Sequence, residues 1–336
     1  MLHSSSVGLR PAKQTIYITI SFFLCCLLLM TAPASDAAIE KDMVGGTARI
    51  FLDLDSEFAG WVLDTSGGYT KAVVVDYYDG KSTVTRKRVG ALAVEDLEIT
   101  FGIDMAPVWW QWISNVLAGN PVTHNLSVIR TDLDFRTIDQ QVLRNARIKQ
   151  IHFPVFDRAS KDPLRFKVVI TAETSRFEAA SGASAPSPLG RQISLKPNSS
   201  TFQFELGDLK TDRTVRVVPP VVSVKFPDGY VGGPGLQSTS TPTLGASNMT
   251  ISVPIYDSGP YMNWLRELVD GRVGADSMLQ SSLSILTPDY QQVLMTIFFD
   301  SVGLASLSPY QLAADGSMGP MVLDLYLERV RISTGK

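Results

Sequence analysis

DLEITFGIDMAPVWWQWISNVLAG, Asp96 to Gly119, holds a strand, a helix and a stop. Leu97, Ile99 and Phe101 alternate with Glu98 and Thr100, the period of a half-buried strand. Beyond Gly102 the period changes. Trp109, Trp112, Ile113 and Val116 are spaced by three and four and share one helical face, with Asp104 as a cap, Pro107 in the first turn and Gly119 as the end. Trp110 falls on another face, where it could meet a neighbouring subunit.

The chain writes this pattern twice. Adding 152 to each number gives Met249, Ile251 and Val253 for the strand, Tyr261, Trp264, Leu265 and Leu268 for the helical face, and Gly271 for the stop. The same offset carries Ile50, Leu52 and Leu54 of RIFLDLD onto Phe202, Phe204 and Leu206 of FQFELGDL. The repetition implies a duplicated segment, each copy being about 130 residues and long enough to be a domain.

A length of 336 residues suits two domains, and a composition of 45% hydrophobic and 19% charged residues is that of ordinary globular protein. A net charge of only -3 suggests no polyanion-binding surface and no specific nucleic-acid site. The first 38 residues are distinct: Arg10 and Lys13 precede a largely apolar run, Ile16 to Met30, followed by TAPASDAA. This is the layout of a secretory signal peptide cleaved after Ala34 or Ala37, which sends the mature chain to the periplasm or the cell exterior. An uncleaved anchor is the alternative, but a spanning helix wants about 20 apolar residues, so no membrane span is expected in the mature chain. Loss of Arg10 and Lys13 with Asp36 retained takes the net charge from -3 to -5. Both cysteines, Cys25 and Cys26, lie in the apolar run, so the mature chain has neither a disulfide nor a cysteine metal site.

Within the first copy, Ala48 to Asp55 and Gly60 to Asp64 read as strands. Lys71 to Tyr78 and Thr83 to Val89 form a hairpin turning at Asp79-Gly80, with a basic returning arm of Arg86, Lys87 and Arg88. Strands over Thr123 to Thr131, Asp139 to Gln150 and Leu164 to Ala172 follow the helix. One helix amid six or seven strands suits a closed or nearly closed antiparallel barrel. A linker rich in Ala, Ser, Pro and Gly follows at 178–201. In the second copy a hairpin turns at Pro227-Asp228-Gly229, the helix spans Tyr261 to Val269, and strands cover Ser281 to Leu286, Gln291 to Phe299 and Met321 to Ile332, with an irregular insertion from Asp300 to Gly319. The expected class is mainly β (α+β), two tandem antiparallel β-barrels, each with one packed α-helix, over 39–177 and 202–336.

Catalytic chemistry has little to stand on. Two histidines, His124 and His152, lie beyond the leader, and there is no nucleophile elbow, phosphate loop, HExxH or calcium loop. Asp53 with Asp55, and Asp132 with Asp134, share strand faces, where solvated carboxylates are expected rather than a cation site. His152, beside Phe153 and Pro154, reads as a loop or packing residue rather than a ligand. Sequons at Asn125, Asn198 and Asn248 matter only in a host that glycosylates exported protein. No enzyme, cofactor or metal is expected.

The order of an opening strand IFLDLD, a hairpin at YYDG, LEITFG, a helix with W-x-W at Trp110 and Trp112 ending in Gly119, and a strand pair around RNARIKQI resembles the tail tube protein family of contractile bacteriophages. That family is similar in fold to the haemolysin-coregulated tube protein of type VI secretion. The match covers Arg49 to Phe177 well and Phe202 to Ile332 mainly through the duplication. The resemblance implies that six barrel domains close a ring with a continuous inner sheet and that rings stack through the long hairpin. By that pattern Tyr77, Tyr78, Asp79, Gly80, Lys81, Arg86, Lys87 and Arg88 would lie at the ring-to-ring contact, with Pro227, Asp228 and Gly229 as the counterpart. Two domains per chain would then need three chains per pseudo-hexameric ring. Partners would be further copies of the chain and other tube, sheath or baseplate-like proteins. Phage tubes assemble in the cytoplasm without a signal peptide, so the leader points away from an ordinary virion tail. The rival expectation is an exported monomeric or small-oligomer binding module that keeps the barrel and does not polymerise.

Overall fold

Alternating apolar residues build the first barrel strand by strand. The computed structural model describes residues 49–78, 80, 83–179, 184–186, 197–227, 242–271, 278–308 and 318–335. The first barrel contains β1 (Arg49–Leu54), β2 (Glu57–Gly67), β3 (Thr70–Tyr77), β4 (Arg86–Val94), β5 (Leu97–Phe101), α1 (Pro107–Leu117), β6 (His124–Thr131), β7 (Thr137–His152), β8 (Phe156–Asp157), β9 (Phe166–Thr171) and β10 (Thr174–Ala179). Every pairing is antiparallel, and β1, β2, β5, β9, β7 and β6 close on themselves as a barrel. Closure removes strand edges. Leu97, Ile99 and Phe101 point into it while Glu98 faces solvent.

Strand β7 is long enough to serve two neighbourhoods. Its first half lies between β6 and β10, and its second half pairs with β9. The strand changes partners near Asn145, whose φ of 50° bends the backbone. The basic arm expected to end at Val89 continues to Val94 as β4, and β10 occupies residues next to and just within the expected linker. Residues 180–183 and 187–196 of that linker lie outside the described residues.

Helix α1 caps the barrel. Trp109, Trp112, Ile113 and Val116 are buried, and Trp112 Nε1–H donates to the Val122 carbonyl at 3.1 Å. Trp110, expected on an outward face, is also buried. Its ring stands edge-on to Phe101 at 5.7 Å and to Phe166 at 5.3 Å. The barrel wall curls around more than the narrow stripe that periodicity marks. The helix ends where Gly119 takes a φ of +87°, a conformation that a side chain disfavours.

The second barrel contains β11 (Phe202–Leu206), β12 (Arg216–Val218), β13 (Val221–Lys225), β14 (Thr243–Ala246), β15 (Met249–Val253), α2 (Ser258–Val269), β16 (Leu279–Leu286), β17 (Val293–Ser308), β18 (Met321–Tyr326) and β19 (Arg329–Thr334). Its sheet runs β11-β16-β17-β18-β15-β12, and no pairing joins β11 to β12 among the described residues, so it is nearly closed. The strand expected to stop at Phe299 runs on to Ser308, held by pairing with β18, and Ser301 with φ 56° bends β17 as Asn145 bends β7. The strand expected over Met321 to Ile332 is two strands, β18 on the second half of β17 and β19 on its first half. In α2, Tyr261 and Trp264 are buried and Leu265 half-buried, whereas Leu268, expected in the core, is 39% exposed. Gly271, φ +66°, ends this helix as Gly119 ends α1.

The repetition extends to register. Thr70 pairs with Val94 and Val222 with Ala246, an offset of 152 on both strands, so the β3–β4 hairpin and the β13–β14 hairpin are equivalent. Ile148 pairs with Ile170 and Leu304 with Leu325, each followed by the same skipped residue.

The two barrels are stitched together by backbone pairing. Hairpin strand β13 lies against the free edge of β7, with Val221 opposite His152, Val222 opposite Ile151 and Ser223 opposite Gln150. Strand β8 pairs with β12, placing Phe156 opposite Val217, and α1 lies against β19. Phe156 also meets Phe202 at 5.6 Å. The buried side chains of both barrels form one continuous cluster.

Candidate assembly interface

The β3–β4 hairpin is anchored at its base and bare beyond it. Gly67 and Gly68 both have positive φ, and a Cβ on Gly67 would fall 2.3 Å from the Asp96 carbonyl oxygen, so the chain can enter the hairpin this closely only as glycine. The Glu95 amide donates to the Tyr69 carbonyl at 2.9 Å, and the Thr70 hydroxyl donates to the Ser175 carbonyl at 2.8 Å. Tyr69 stacks on Phe177 at 5.8 Å. Gln141, buried inside the barrel, donates from Nε2 to the Gly68 carbonyl at 2.6 Å.

All eight residues of β3 are exposed, and β3 pairs with β4 and with no other described strand. Val73, Val74, Val75, Val89 and Leu92 are exposed on this ribbon, Leu92 at 70%. Cross-strand register puts Val75 opposite Arg88 and Tyr77 opposite Arg86 on one face, and Asp76 opposite Lys87 on the other. The Arg88 guanidinium lies 5.7 Å over the Tyr77 ring. Exposed apolar surface and positive charge on a ribbon that no other described strand pairs make an interaction surface, since an open edge offers backbone donors and acceptors as well.

Of the residues named for the ring-to-ring contact, Tyr77, Tyr78, Gly80, Arg86, Lys87 and Arg88 are all exposed on this one hairpin. Asp79 and Lys81 lie outside the described residues, as do Asp228 and Gly229; Pro227 is half-buried at the end of β13. Sequence reasoning missed the pairing of the β13–β14 hairpin with the first barrel. The alternation in VVSVK was legible, but the partner strand lies some 70 residues away in sequence.

The other polar clusters are internally balanced. An open depression at the hairpin base is lined by Lys71, Glu95, Asp96, Glu98 and Lys149. Its charges are spent in pairs, Lys71 with Glu95 at 3.5 Å, Lys149 with Asp96 at 2.6 Å and Glu98 with Lys167 at 3.2 Å. Burial pushes Asp55 up, but hydrogen bonds from His124, at 2.6 Å, and from the Asn125 amide outweigh it and hold this carboxyl low. Burial also holds His152 below the usual imidazole range. The described residues include no group of three or more His, Cys, Asp or Glu side chains placed to hold a metal ion. None of their helices is long and apolar enough to cross a membrane.

No protein-family model matches the chain, and no curated protein sequence matches it. Solved structures similar to part of it include the cap that terminates the anti-feeding prophage tube, at 17% identity and a TM-score of 0.35, over 40% of this chain and 90% of that one. A chain of the sheath-tube complex of an extracellular contractile injection system in its extended state is 16% identical with a TM-score of 0.34, over 39% of this chain and 89% of its own. Hcp1 from Flavobacterium johnsoniae is 18% identical with a TM-score of 0.26, over 41% of this chain and 99% of that one. Each of these likenesses spans about two fifths of the chain.

Proposed function

We propose that this protein is a non-enzymatic structural subunit that associates with copies of itself into rings, or a stacked tube, outside the cytoplasmic membrane. The observation that carries the reading is the β3–β4 hairpin, an anchored ribbon exposed along all of β3 and paired with no other described strand, whose equivalent in the second barrel is already consumed in pairing with the first. A monomer has no use for a bare ribbon rich in valine, and self-association covers it.

In this reading residues 39–177 and 202–336 are two tail-tube-like domains joined by the linker at 178–201, the first 38 residues are a cleaved export signal, and three chains make one pseudo-hexameric ring. The distal hairpin, Tyr77 to Lys81 with Arg86 to Arg88, forms the ring-to-ring contact, and Pro227 to Gly229 is its counterpart. Other tube, sheath or baseplate-like proteins would bind the ends or the outside of such a stack. Negative-stain images and light scattering of the purified protein, concentrated at low salt, test this. Rings or short tubes are the expected result, and single-chain particles throughout the concentration series would leave the exported binding module standing instead.

A further inference from the structure

We propose that a second copy of this chain docks head to tail through the same joint that the two barrels make within one chain, with β3 of the incoming copy laid on the second half of β17. The proposal rests on the self-association reading above and specifies its contact residue by residue.

The internal joint is a template because both sides of it have an equivalent elsewhere in the chain that no described strand covers. On one side, β13 presents Val221, Val222 and Ser223 to β7, and the equivalent residues at the start of the β3–β4 hairpin are Tyr69, Thr70 and Lys71. On the other, Gln150, Ile151 and His152 of β7 correspond to Ser306, Leu307 and Ser308 of β17, which pair with β18 on one edge and with no described strand on the other. Burial follows occupancy. Val222 and Val224 are buried in β13, whereas Thr70 and Ala72 are exposed in β3. Ile151 is buried in β7, whereas Leu307 is half-buried and its neighbours Ser306 and Ser308 are exposed.

The helices report the same vacancy independently. Val116 and Leu117 at the end of α1, which lies against β19, are each 1% exposed. Their equivalents in α2, Leu268 and Val269, are 39% and 77% exposed. The surface equivalent to β19 is β10, where Phe177 is 53% exposed. Applying the internal joint to the next copy therefore brings the bare end of α2 onto β10 while β3 completes β17. The contact is heterologous, with different surfaces on the two partners, so it repeats from copy to copy and forms a ring when its rotation closes. The expected register is Tyr69 opposite Ser308, Thr70 opposite Leu307 and Lys71 opposite Ser306 of the neighbour.

Cysteine pairing tests the register. Opposed residues of an antiparallel pair have Cα atoms about 4.5–5.5 Å apart, within the range a disulfide spans. The double variant Lys71→Cys with Ser306→Cys, both at exposed positions, should give an intermolecular ladder under mild oxidation, while each single variant gives at most a dimer. The pair Val74→Cys with Ser306→Cys is displaced by three residues, about 10 Å along the strand, and should crosslink at least tenfold more slowly. A second arm replaces Leu268 and Val269 with Glu and should weaken association at least tenfold without lowering the melting temperature. If the protein assembles but the displaced pair crosslinks as well as the aligned one, or the Glu variants assemble normally, this joint is wrong and the self-association reading survives. If wild-type protein forms no assembly at all, both fall together.

Discussion

At the scale of single residues, two large aromatic side chains of the core, one in each barrel, give their polar atoms a backbone partner. Trp112 fills the space under α1 and spends its indole N–H on the Val122 carbonyl. Trp112→Ala is expected to lower stability by about 3–5 kcal/mol in urea unfolding, the usual cost of emptying a large aromatic site. Tyr261 does the same in the second barrel, donating its hydroxyl to the Lys210 carbonyl at 2.9 Å, and burial with Asp257 and Asp212 nearby pushes its phenol up to about 12. Tyr261→Phe should cost about 1 kcal/mol, because the Lys210 carbonyl loses its donor and the ring volume stays. Asp300 takes two hydrogen bonds from Arg331, each 2.7 Å, and the guanidinium holds its carboxyl below the usual range. A lowered carboxyl stabilises the fold above its unfolded pKa of about 3.9 and loses that contribution as pH falls through the lower folded value. Wild type should therefore exceed Asp300→Asn in melting temperature near neutral pH, and the gap should shrink steadily as pH falls below about 4. Trp109, Trp112 and Tyr261 were legible as core residues from spacing alone. The burial of Trp110 was not, because spacing describes the helix and says nothing of how far the barrel wall wraps around it.

Among the elements, the β3–β4 hairpin is where fold and function divide the labour. Its base is locked by Gly67, Gly68 and the Thr70 hydroxyl, and its far end carries Tyr77, Tyr78 and the Arg86 to Arg88 arm with no described neighbour strand. Gly80 has a φ of +72° and open space around its Cβ position. Gly80→Val consequently strains the turn without any clash inside the barrel, a penalty of order 1–2 kcal/mol confined to the tip. The melting temperature of the barrel should change little, while electron microscopy should show rings that no longer stack. Hairpin and turn were readable because valine alternation and Asp-Gly are local signals. The continuation of β17 past Asp300 was hidden, since Ser301 and Gly303 resemble a loop when read locally. Pairing of Val302 with β16 and of Gly303 to Ser308 with β18 holds that stretch extended.

For the whole molecule, the two barrels are one plan used twice, and the difference between the copies is what is covered. The first barrel's β7 edge and α1 are occupied by the second barrel; among the described residues no strand covers the corresponding β17 edge, and the end of α2 is exposed. If ring closure needs six barrels, light scattering of small assemblies should find masses in multiples of three chains. If stacking depends on the basic arm, raising salt to about 1 M, where the Debye length falls to about 3 Å, should shorten tubes and leave rings. The amino-acid sequence by itself determined the class of fold, the repeat and the helix cores, because alternation, three-to-four spacing and helix-ending glycines act over a few residues and are written in side-chain chemistry. Which edge meets which was decided only by the tertiary structure. Strand pairing joins backbone groups that every residue carries alike, so the meeting of β13 with β7 and the vacancy left beside β17 leave no mark in residue identity.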